Sequence, residues 1–424
     1  MPARAAAAAP SEPRPAMAEH SFFGSSLKLL RTGRFGTFWF ASLFSTIGTW
    51  AQEVAQPWLL LSLGASSFLL GLDSFAMGAP VLLLTLVGGF LADRADRRRV
   101  IAAFQSIQML CPTLVVILLL AGAVEPWMII VLSLVVGITD ALSMPSYQSI
   151  VPSIVEREQI PAAVALNSTQ FNLSRILGPA LAGILMVSVG AIGCFAVSAI
   201  SYVPLILVAL WILPRATRSP TAEIALDYRQ ILSSVREIAD DRALRGALST
   251  VLVTSLLCAP LVTFCPVLIK EVHQGDVGHF SVTIGAFGAG GLLGATWLLT
   301  LDPQRDHRPV SSRFGLAYGV IVAAAALNPW AWGLPALFVL AGISMTASNA
   351  AANAHLQAAA PDRIRGQAVS LFMLATRGGS ALGSLVTGIS VSLLDVREAL
   401  LLNGVLAVLA HVIVGRAWLR QTPS

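Results

Sequence analysis

The chain has 424 residues, of which 56% are hydrophobic and only 12% are charged, with a formal net charge of +5. Ordinary globular chains carry about 25% charged residues, so this composition excludes a typical soluble enzyme. The basic residues lie in short stretches between apolar segments and form no basic face interleaved with aromatic side chains, so we expect no nucleic-acid partner.

Twelve apolar segments follow one another along the chain, and each can cross roughly 30 Å of hydrocarbon as a helix. Because backbone amides in lipid must bond within their own element, we predict an all-α integral membrane protein in contact with a lipid bilayer. The predicted segments are 36–63, 68–92, 99–121, 126–149, 161–187, 190–213, 246–269, 279–300, 312–327, 331–356, 364–392 and 396–418.

The segments divide into two sets of six, separated by an arginine-rich stretch. The Ala/Pro-rich start of the chain lacks the apolar core of a signal sequence and predicts a disordered tail. The predicted organisation is a cytoplasmic N-terminal tail (1–34), an N-terminal six-helix bundle (35–213), a cytoplasmic central loop (214–245), a C-terminal six-helix bundle (246–418) and a cytoplasmic C-terminal tail (419–424).

Helix 1 has a polar stripe of residues spaced three and four apart: Ser42, Thr46, Thr49, Glu53 and Gln56. Such a stripe predicts one face that lines a water-accessible cavity. An acid inside hydrocarbon is expensive and marks a functional site by default, so Glu53 is a candidate for proton coupling. The alternative is a structural carboxylate held by a neighbouring amide such as Gln52.

Two further acids lie inside predicted helices and are also candidates for proton coupling. Asp73 is near the start of helix 2, where a solvated acid favoured by the helix dipole is the alternative. Asp140 lies on a stripe of helix 4, where it could pair with Arg175 of helix 5 or with arginines of the loop between helices 2 and 3.

That loop has the pattern G-x-x-x-D-R-x-x-R-R, formed by Gly89, Asp93, Arg94, Arg97 and Arg98. An abrupt change from apolar to arginine-rich sequence is typical of a short cytoplasmic turn. The pattern resembles the corresponding loop of the major facilitator superfamily of secondary transporters. The resemblance implies that these residues form a conformational lock, in which Asp93 faces a helix N-terminus across the two halves and the arginines pair with nearby acids.

Helix 5 contains Gly178, Pro179 and Gly183, in a Gly-Pro-x-x-x-Gly arrangement. It resembles the helix-5 antiporter motif of facilitator-type exporters, with Ser174 in place of the first glycine of that motif and Ala182 in place of a later one. Small residues let helices approach closely and proline bends a helix. The motif therefore favours a packed interface that changes between inward and outward states, although such glycines also occur in ordinary helix packing.

Two arginines, Arg175 and Arg377, lie about fourteen residues into helices 5 and 11. They favour an anionic or acceptor-rich substrate, or alternatively they satisfy backbone carbonyls or Asp140. The complete set of candidates for the substrate cavity is Thr49, Gln52, Gln56, Asn172, Arg175, Asn349, Asn353 and Arg377.

An internal repeat is visible when the sequence is shifted by 205 residues. The shift superposes Gly137 on Gly342, Gly178 on Gly383 and Gly183 on Gly388 without a gap. A transporter of two parallel halves predicts such a repeat.

Lys and Arg residues concentrate in alternate loops, whereas the opposite set of loops contains only Lys270 and Arg397. The positive-inside rule therefore predicts that both termini are cytoplasmic. Nothing in the sequence matches a nucleotide-binding, metalloprotease or nucleophile-elbow motif, so we expect no enzyme activity, cofactor or metal. We also expect a functional monomer.

Stretches at 48–59, 164–180 and 363–369 resemble the bacterial exporters related to the enterobactin exporter, a branch of the same superfamily. The resemblance implies a twelve-helix fold of two pseudo-symmetric halves in the bacterial inner membrane, which exports a small amphiphilic, siderophore-like or drug-like molecule in exchange for protons. Uptake or lipid-precursor translocation by the same fold and a non-transporting sensor or assembly partner are the alternatives.

Overall fold

The computed structural model of the protein describes residues 28–214, 235–300, 306–361 and 363–419. The predicted tail and central-loop residues 1–27, 215–234 and 420–424 lie outside these ranges. Within them the chain is helical and has no strand, which confirms the all-α fold class. Residues 28–34 differ from the predicted disorder, because Leu29 is only 3% exposed and belongs to the same buried apolar cluster as Phe35 and Phe38.

Twelve long helices account for the predicted segments among the described residues. Eleven are long and apolar enough to cross a membrane, and α1 is 28 residues long with polar residues along it. The helices are α1 Phe35–Ser62, α2 Ser67–Arg94, α3 Arg97–Leu120, α4 Pro126–Ile150, α5 Ile160–Ser188, α6 Ala191–Trp211, α7 beginning with Arg242–Val253, α8 Val277–Leu299, α9 Arg308–Leu327, α10 Gly333–Ala359, α11 Arg365–Leu393 and α12 Val396–Leu419.

Helices α3 and α9 begin earlier than the hydrophobic pattern predicts, because an aspartate precedes each start. Asp96 accepts a hydrogen bond from the backbone N–H of Arg98 at 3.2 Å, so α3 begins at Arg97. Asp306 accepts from the backbone N–H of Arg308 at 2.9 Å, at the first residue of α9. Such side chains satisfy amide groups that have no partner at a helix start.

Helix α7 is less regular than the single apolar segment predicts. It continues through a π-helical turn at Thr254–Cys258, short α-helical pieces at Pro260–Thr263 and Cys265–Val267, and a second π-helical turn at Leu268–Val272. Proline has no N–H and its ring clashes with the carbonyl four residues earlier, which interrupts regular helical bonding. Pro260 has no N–H to donate to the carbonyl of Leu256, four residues earlier. That carbonyl lies against Gly383 of α11.

The two halves, α1–α6 and α7–α12, repeat the same helix pairings. In the first half α1 contacts α5 and α6, α2 contacts α4, and α3 contacts α4 and α6. In the second half α7 contacts α11 and α12, α8 contacts α10, and α9 contacts α10 and α12. The halves are therefore pseudo-symmetric.

Glycines related by the 205-residue shift have equivalent environments. Gly137 of α4 lies against the backbone of α2 at Met77, and Gly342 of α10 lies against the backbone of α8 at Phe287. Gly178 likewise contacts α1, and its counterpart in α11 contacts α7. A side chain at either helix–helix contact would overlap the neighbouring backbone, so small residues set the spacing in both halves.

The halves meet through α2 with α11 and through α5 with α8. The close contacts cluster at the end of the bundle away from the chain termini. There Gly71 of α2 lies against Gly388, and Gly183 of α5 lies against Ser281 of α8. The rings of Trp58 and Phe280 stack with centroids 5.0 Å apart and join α1 to α8 at the same end. This end of the interface is therefore closed.

The other end is open, as the exposure of α5 shows. In its first half the exposed residues include Val164 and Phe171, whereas in its second half they include Leu177, Ile184 and Val187. At about 100° per residue these two sets lie on opposite faces of the helix. The first half of α5 therefore exposes the face that is covered further along, and a cavity between the halves opens toward the end that holds the termini.

Candidate functional site

Four charged side chains from both halves form one electrostatic network beside this cavity: Glu53 of α1, Asp140 of α4, Arg175 of α5 and Arg377 of α11. Arg377 Nη1 donates to Asp140 Oδ2 at 3.3 Å, and both side chains are about one third exposed, at 36% and 35%. The charges of Arg377, Asp140 and Arg175 all act on Glu53. The network contains two acids and two bases, and only Arg377 comes from the second half.

The partner of Asp140 is Arg377, across the interface between the halves. This pair agrees with the alternative given above for Arg377, in which the arginine satisfies Asp140. It differs from the pairings predicted for Asp140 on helix 4, with Arg175 or with the arginines after α2.

Arg175 has an aromatic neighbour. Its guanidinium carbon lies 5.8 Å from the centroid of the Trp50 ring, within the range of a cation–π attraction. Gly178, one turn after Arg175, lies against Trp50 and allows α5 to approach α1. The small residues of the helix-5 motif therefore hold the arginine beside the polar helix α1. Trp50 lies outside the polar stripe of helix 1 from which the cavity face was predicted.

Glu53 is partly buried, and among the described side chains none donates a hydrogen bond to it. Gln52 Nε2 donates instead to Gln56 Oε1 at 3.4 Å, so the alternative in which Gln52 holds Glu53 is wrong. Thr49, one turn earlier, bonds to the backbone of α1 and lies 3.2 Å from the Tyr202 hydroxyl of α6. The polar stripe of α1 therefore contacts α6 through Thr49, in addition to carrying Glu53.

Asp73 lies inside the first half rather than in solvent. It is 5% exposed and accepts hydrogen bonds from Gln56 Nε2 at 2.7 Å and from the Ser133 hydroxyl at 2.6 Å. The alternative of a solvated acid at the helix start is therefore wrong. Gln56, predicted to line the substrate cavity, faces this interior site.

The remaining cavity candidates are not brought to the charged network by the described contacts. Asn353 Oδ1 accepts from Gln357 at 3.1 Å within α10, and the buried Oδ1 of Asn349 has no partner among the described residues. The side chain of Asn172 lies outside the described part of the structure. These three assignments stay predictions.

Among the described side chains of the predicted lock, those of Arg97 and Arg98 contact the first half. Arg98 Nε donates to Asp96 Oδ2 at 3.0 Å, and Arg97 Nη1 donates to the Ser149 carbonyl of α4 at 3.4 Å. No described atom lies near Gly89 on the side where a side chain would project. The side chain of Asp93 is outside the described residues, so its predicted role across the halves is untested, and Arg94 has an interaction of its own.

The same aspartate–arginine arrangement recurs after α8, where sequence analysis did not identify it. Arg308 Nε donates to both carboxylate oxygens of Asp306 at 3.0 Å. Burial raises the pKa of Asp306, but the hydrogen bonds and charge of Arg308 outweigh this effect and hold the pKa below its usual value. The D-x-R spacing shared with Asp96 and Arg98 was the signal available in the sequence.

The sequence matches the family described as "transmembrane secretion effector" over residues 24–424. The staphyloferrin A transporter of Staphylococcus aureus is 24% identical over 87% of this chain and 92% of its own length. The multidrug efflux pump Tap of Mycolicibacterium fortuitum is 24% identical over 82% of this chain and 87% of its own.

A crystal structure of the nucleoside transporter NupG superposes with a TM-score of 0.69 at 15% identity, over 92% of this chain and all of the other. At this identity the likeness supports the fold alone, and that fold has the twelve-helix, two-half architecture described above. Because the family match spans nearly the whole chain, the protein belongs to the transmembrane secretion effector family of the major facilitator superfamily, and it is a multi-pass membrane transporter rather than an enzyme.

Proposed function

We propose that the protein exports a small amphiphilic molecule across the bacterial inner membrane by alternating access, in exchange for protons. The observation that carries the proposal is a charged cavity between two pseudo-symmetric halves that are closed against each other at the end away from the termini. In this proposal the two bundles comprise residues 35–213 and 246–418, act as a monomer, and move against each other around the network.

Both termini are cytoplasmic in this proposal, as the distribution of Lys and Arg favours. The open end of the cavity then faces the cytoplasm, where an exporter must take up its substrate. Reporter fusions after Glu125 and Asn328 are expected to be active as periplasmic fusions, and a fusion at Pro220 as a cytoplasmic one. The reverse pattern would contradict both the orientation and the direction of loading.

The cavity suits a substrate with apolar and polar parts. Trp50 and Phe171 provide aromatic surface, with ring centroids 6.2 Å apart, and Arg175 lies over Trp50. Arg377 presents a second guanidinium, already paired with Asp140. An amphiphilic molecule with acceptor groups can therefore place its apolar part on the rings and its acceptors near the arginines. Efflux and siderophore-transport functions named for the relatives agree with this substrate class.

Glu53 is the proposed proton-binding group, because it is acidic, faces the network and has no hydrogen-bond donor among the described side chains. Protonation from the periplasm would neutralise Glu53 and change the balance of the four charges, which favours substrate release and return to the inward-open state. Release of the proton to the cytoplasm restores the charge for the next substrate. Asp140 responds in the same cycle through its ion pair with Arg377.

Transport into everted membrane vesicles tests the proposal, with labelled staphyloferrin A and a labelled macrolide as probes. The macrolide is chosen because macrolide efflux protein A of Streptococcus pyogenes is 22% identical over 62% of this chain. We expect accumulation of at least one probe when the vesicle interior is acid, and loss of accumulation when a protonophore collapses the gradient. Accumulation that survives the protonophore would contradict proton coupling. Accumulation only in right-side-out vesicles would contradict export and favour uptake.

A further inference from the structure

A lysine of the second half contacts the end of the first helix. Lys270 Nζ donates to the Leu61 carbonyl at 3.4 Å, so a side chain near the end of α7 bonds to the last turn of α1. The two residues are 209 positions apart and belong to different halves. Their contact lies at the closed end of the interface, away from the chain termini, which we call the outer end.

The end of α1 attracts a positive charge. Carbonyls in the last turn of a helix lack partners within the helix and carry the negative end of its dipole. The last turn of α1 contains no basic residue. Gly64, with a φ of +82°, turns the chain so that its own N–H bonds to the Leu61 carbonyl at 3.2 Å. That carbonyl has a second lone pair, and Lys270 supplies both the donor and the charge.

The position of Lys270 indicates a specific contact. It lies in the second π-helical turn of α7, Leu268–Val272, and such turns are rare and frequently occur at functional sites. Basic residues are also disfavoured in outer loops, where the sequence has only Lys270 and Arg397.

The other outer base, Arg397, makes a similar contact within one half. Its Nη2 donates to the Asn328 carbonyl at 3.0 Å, at the end of α9. Helices α9 and α12 both belong to the second half, so they stay together when the halves move. Each base therefore binds a carbonyl at a helix end, but of the two it is Lys270 that spans the halves.

We propose that Lys270 is an electrostatic latch that holds the outer end closed while the cavity is open at the other end. The proposal rests on the alternating access of the proposed function, but not on its substrate, direction or proton coupling. It adds a charge to the ring stack of Trp58 and Phe280 and the glycine contacts, which are uncharged. Opening of the outer end would separate Lys270 from Leu61 and return the ammonium group to water.

The latch would be the outer counterpart of the lock predicted after α2. There an acid, Asp93, is expected to face a helix N-terminus, whereas here a base contacts a helix C-terminus. Each charge has the sign that the helix dipole favours. The two devices would therefore stabilise opposite states of the same molecule.

The test measures opening of the outer end in purified full-length protein in lipid nanodiscs, without substrate. Ser281 of α8 is 8% exposed and lies against Gly183 of α5 at the outer end. A cysteine introduced by Ser281→Cys should therefore react with a hydrophilic maleimide when this end opens. The four natural cysteines are buried, and protein without Ser281→Cys gives the background. Both faces of a nanodisc are accessible, so the labelling rate does not depend on orientation.

Lys270→Met removes the charge and should raise the labelling rate about two- to fivefold, the effect of one exposed charge at a helix end. Lys270→Arg keeps the charge and should label at close to the wild-type rate. The difference between Lys270→Met and wild type should shrink as NaCl is raised, because salt screens exposed charges.

The matched control is Arg397→Gln, which removes the outer contact that stays within one half and should leave the rate unchanged. Labelling of wild type that Lys270→Met does not accelerate would overturn the latch while leaving alternating access intact. Equal acceleration by Lys270→Arg and Lys270→Met, or by Arg397→Gln and Lys270→Met, would also overturn it. Labelling no faster than background in every variant would contradict alternating access itself, and the latch with it.

Discussion

The two halves share one packing scheme but differ in their first helices, α1 and α7. Helix α1 is a single helix with a polar stripe that carries Glu53 and Gln56. Its counterpart α7 contains two π-helical turns near Pro260 and Pro266 and buries most of its residues. Three of the four charges of the cavity network come from the first half. The repeat therefore determines the scaffold, whereas the chemistry of the site is concentrated on one side of it.

The largest expected effect tests the shared scaffold. Gly137→Val and Gly342→Val each place a side chain against the backbone of the neighbouring helix, and overpacking of this kind costs about 1–3 kcal/mol or more. Both variants should lower the unfolding midpoint and the yield of folded protein to a similar extent. Gly285→Val, which has no atom within 4 Å of the added Cβ, is the control. Loss of stability in only one of the pair would show that the halves are not equivalent.

The next effect concerns the loop between α2 and α3. Asp93→Asn removes the charge that we predict to face the second half, so transport should fall to near background while the unfolding midpoint stays close to that of wild type. A charge at a helix terminus is worth about 0.3–1 kcal/mol when exposed and up to roughly 2 when partly buried, enough to bias two states severalfold. Asp240→Asn, at an exposed ion pair, is the control. Wild-type transport rates in Asp93→Asn would refute the lock.

A smaller effect is expected at the ion pair that joins the halves. Arg377→Gln leaves Asp140 without its partner, and exchange of the two residues should restore part of the lost transport. Because both side chains are about one third exposed, we expect a coupling of at most about 1 kcal/mol, equivalent to roughly fivefold in rate. A double-mutant cycle on initial transport rates measures it, with Arg363→Gln as the control at an exposed pair. Additive effects would show that the pair does not connect the halves.

The smallest effect concerns the pH dependence of stability at the start of α9. The pKa of Asp306 is held below its usual value, so its contribution is present above the unfolded-state pKa of roughly 3.9 and is lost as the pH falls through the folded-state pKa. Asp306→Asn should lower the unfolding midpoint slightly near pH 7, by no more than about 1 kcal/mol for a partly exposed pair. The difference from wild type should vanish in acid. An equal difference at both pH values would contradict the assignment.

The sequence was sufficient for the features that depend on local patterns. Apolar length predicted the helices, and the 205-residue shift predicted which glycines occupy equivalent contacts. It was insufficient where distant segments meet: Asp140 and Arg377 are 237 positions apart, so the sequence offered their pairing only as one alternative among several. Trp50 likewise reaches Arg175 only when α5 packs on α1. Asp73 illustrates the same limit, because its position near a helix start suggested solvent, whereas packing of three helices buries it.

Uphill transport by the Glu53→Gln variant tests whether Glu53 couples proton movement to export. The variant mimics the protonated state, so in everted vesicles it should still bind and exchange a labelled probe across the membrane. It should lose accumulation driven by an imposed pH gradient, while Glu125→Gln accumulates the probe as wild type does. Gradient-driven accumulation by Glu53→Gln with unchanged pH dependence would contradict the claim and move the coupling group to another acid, first to Asp140.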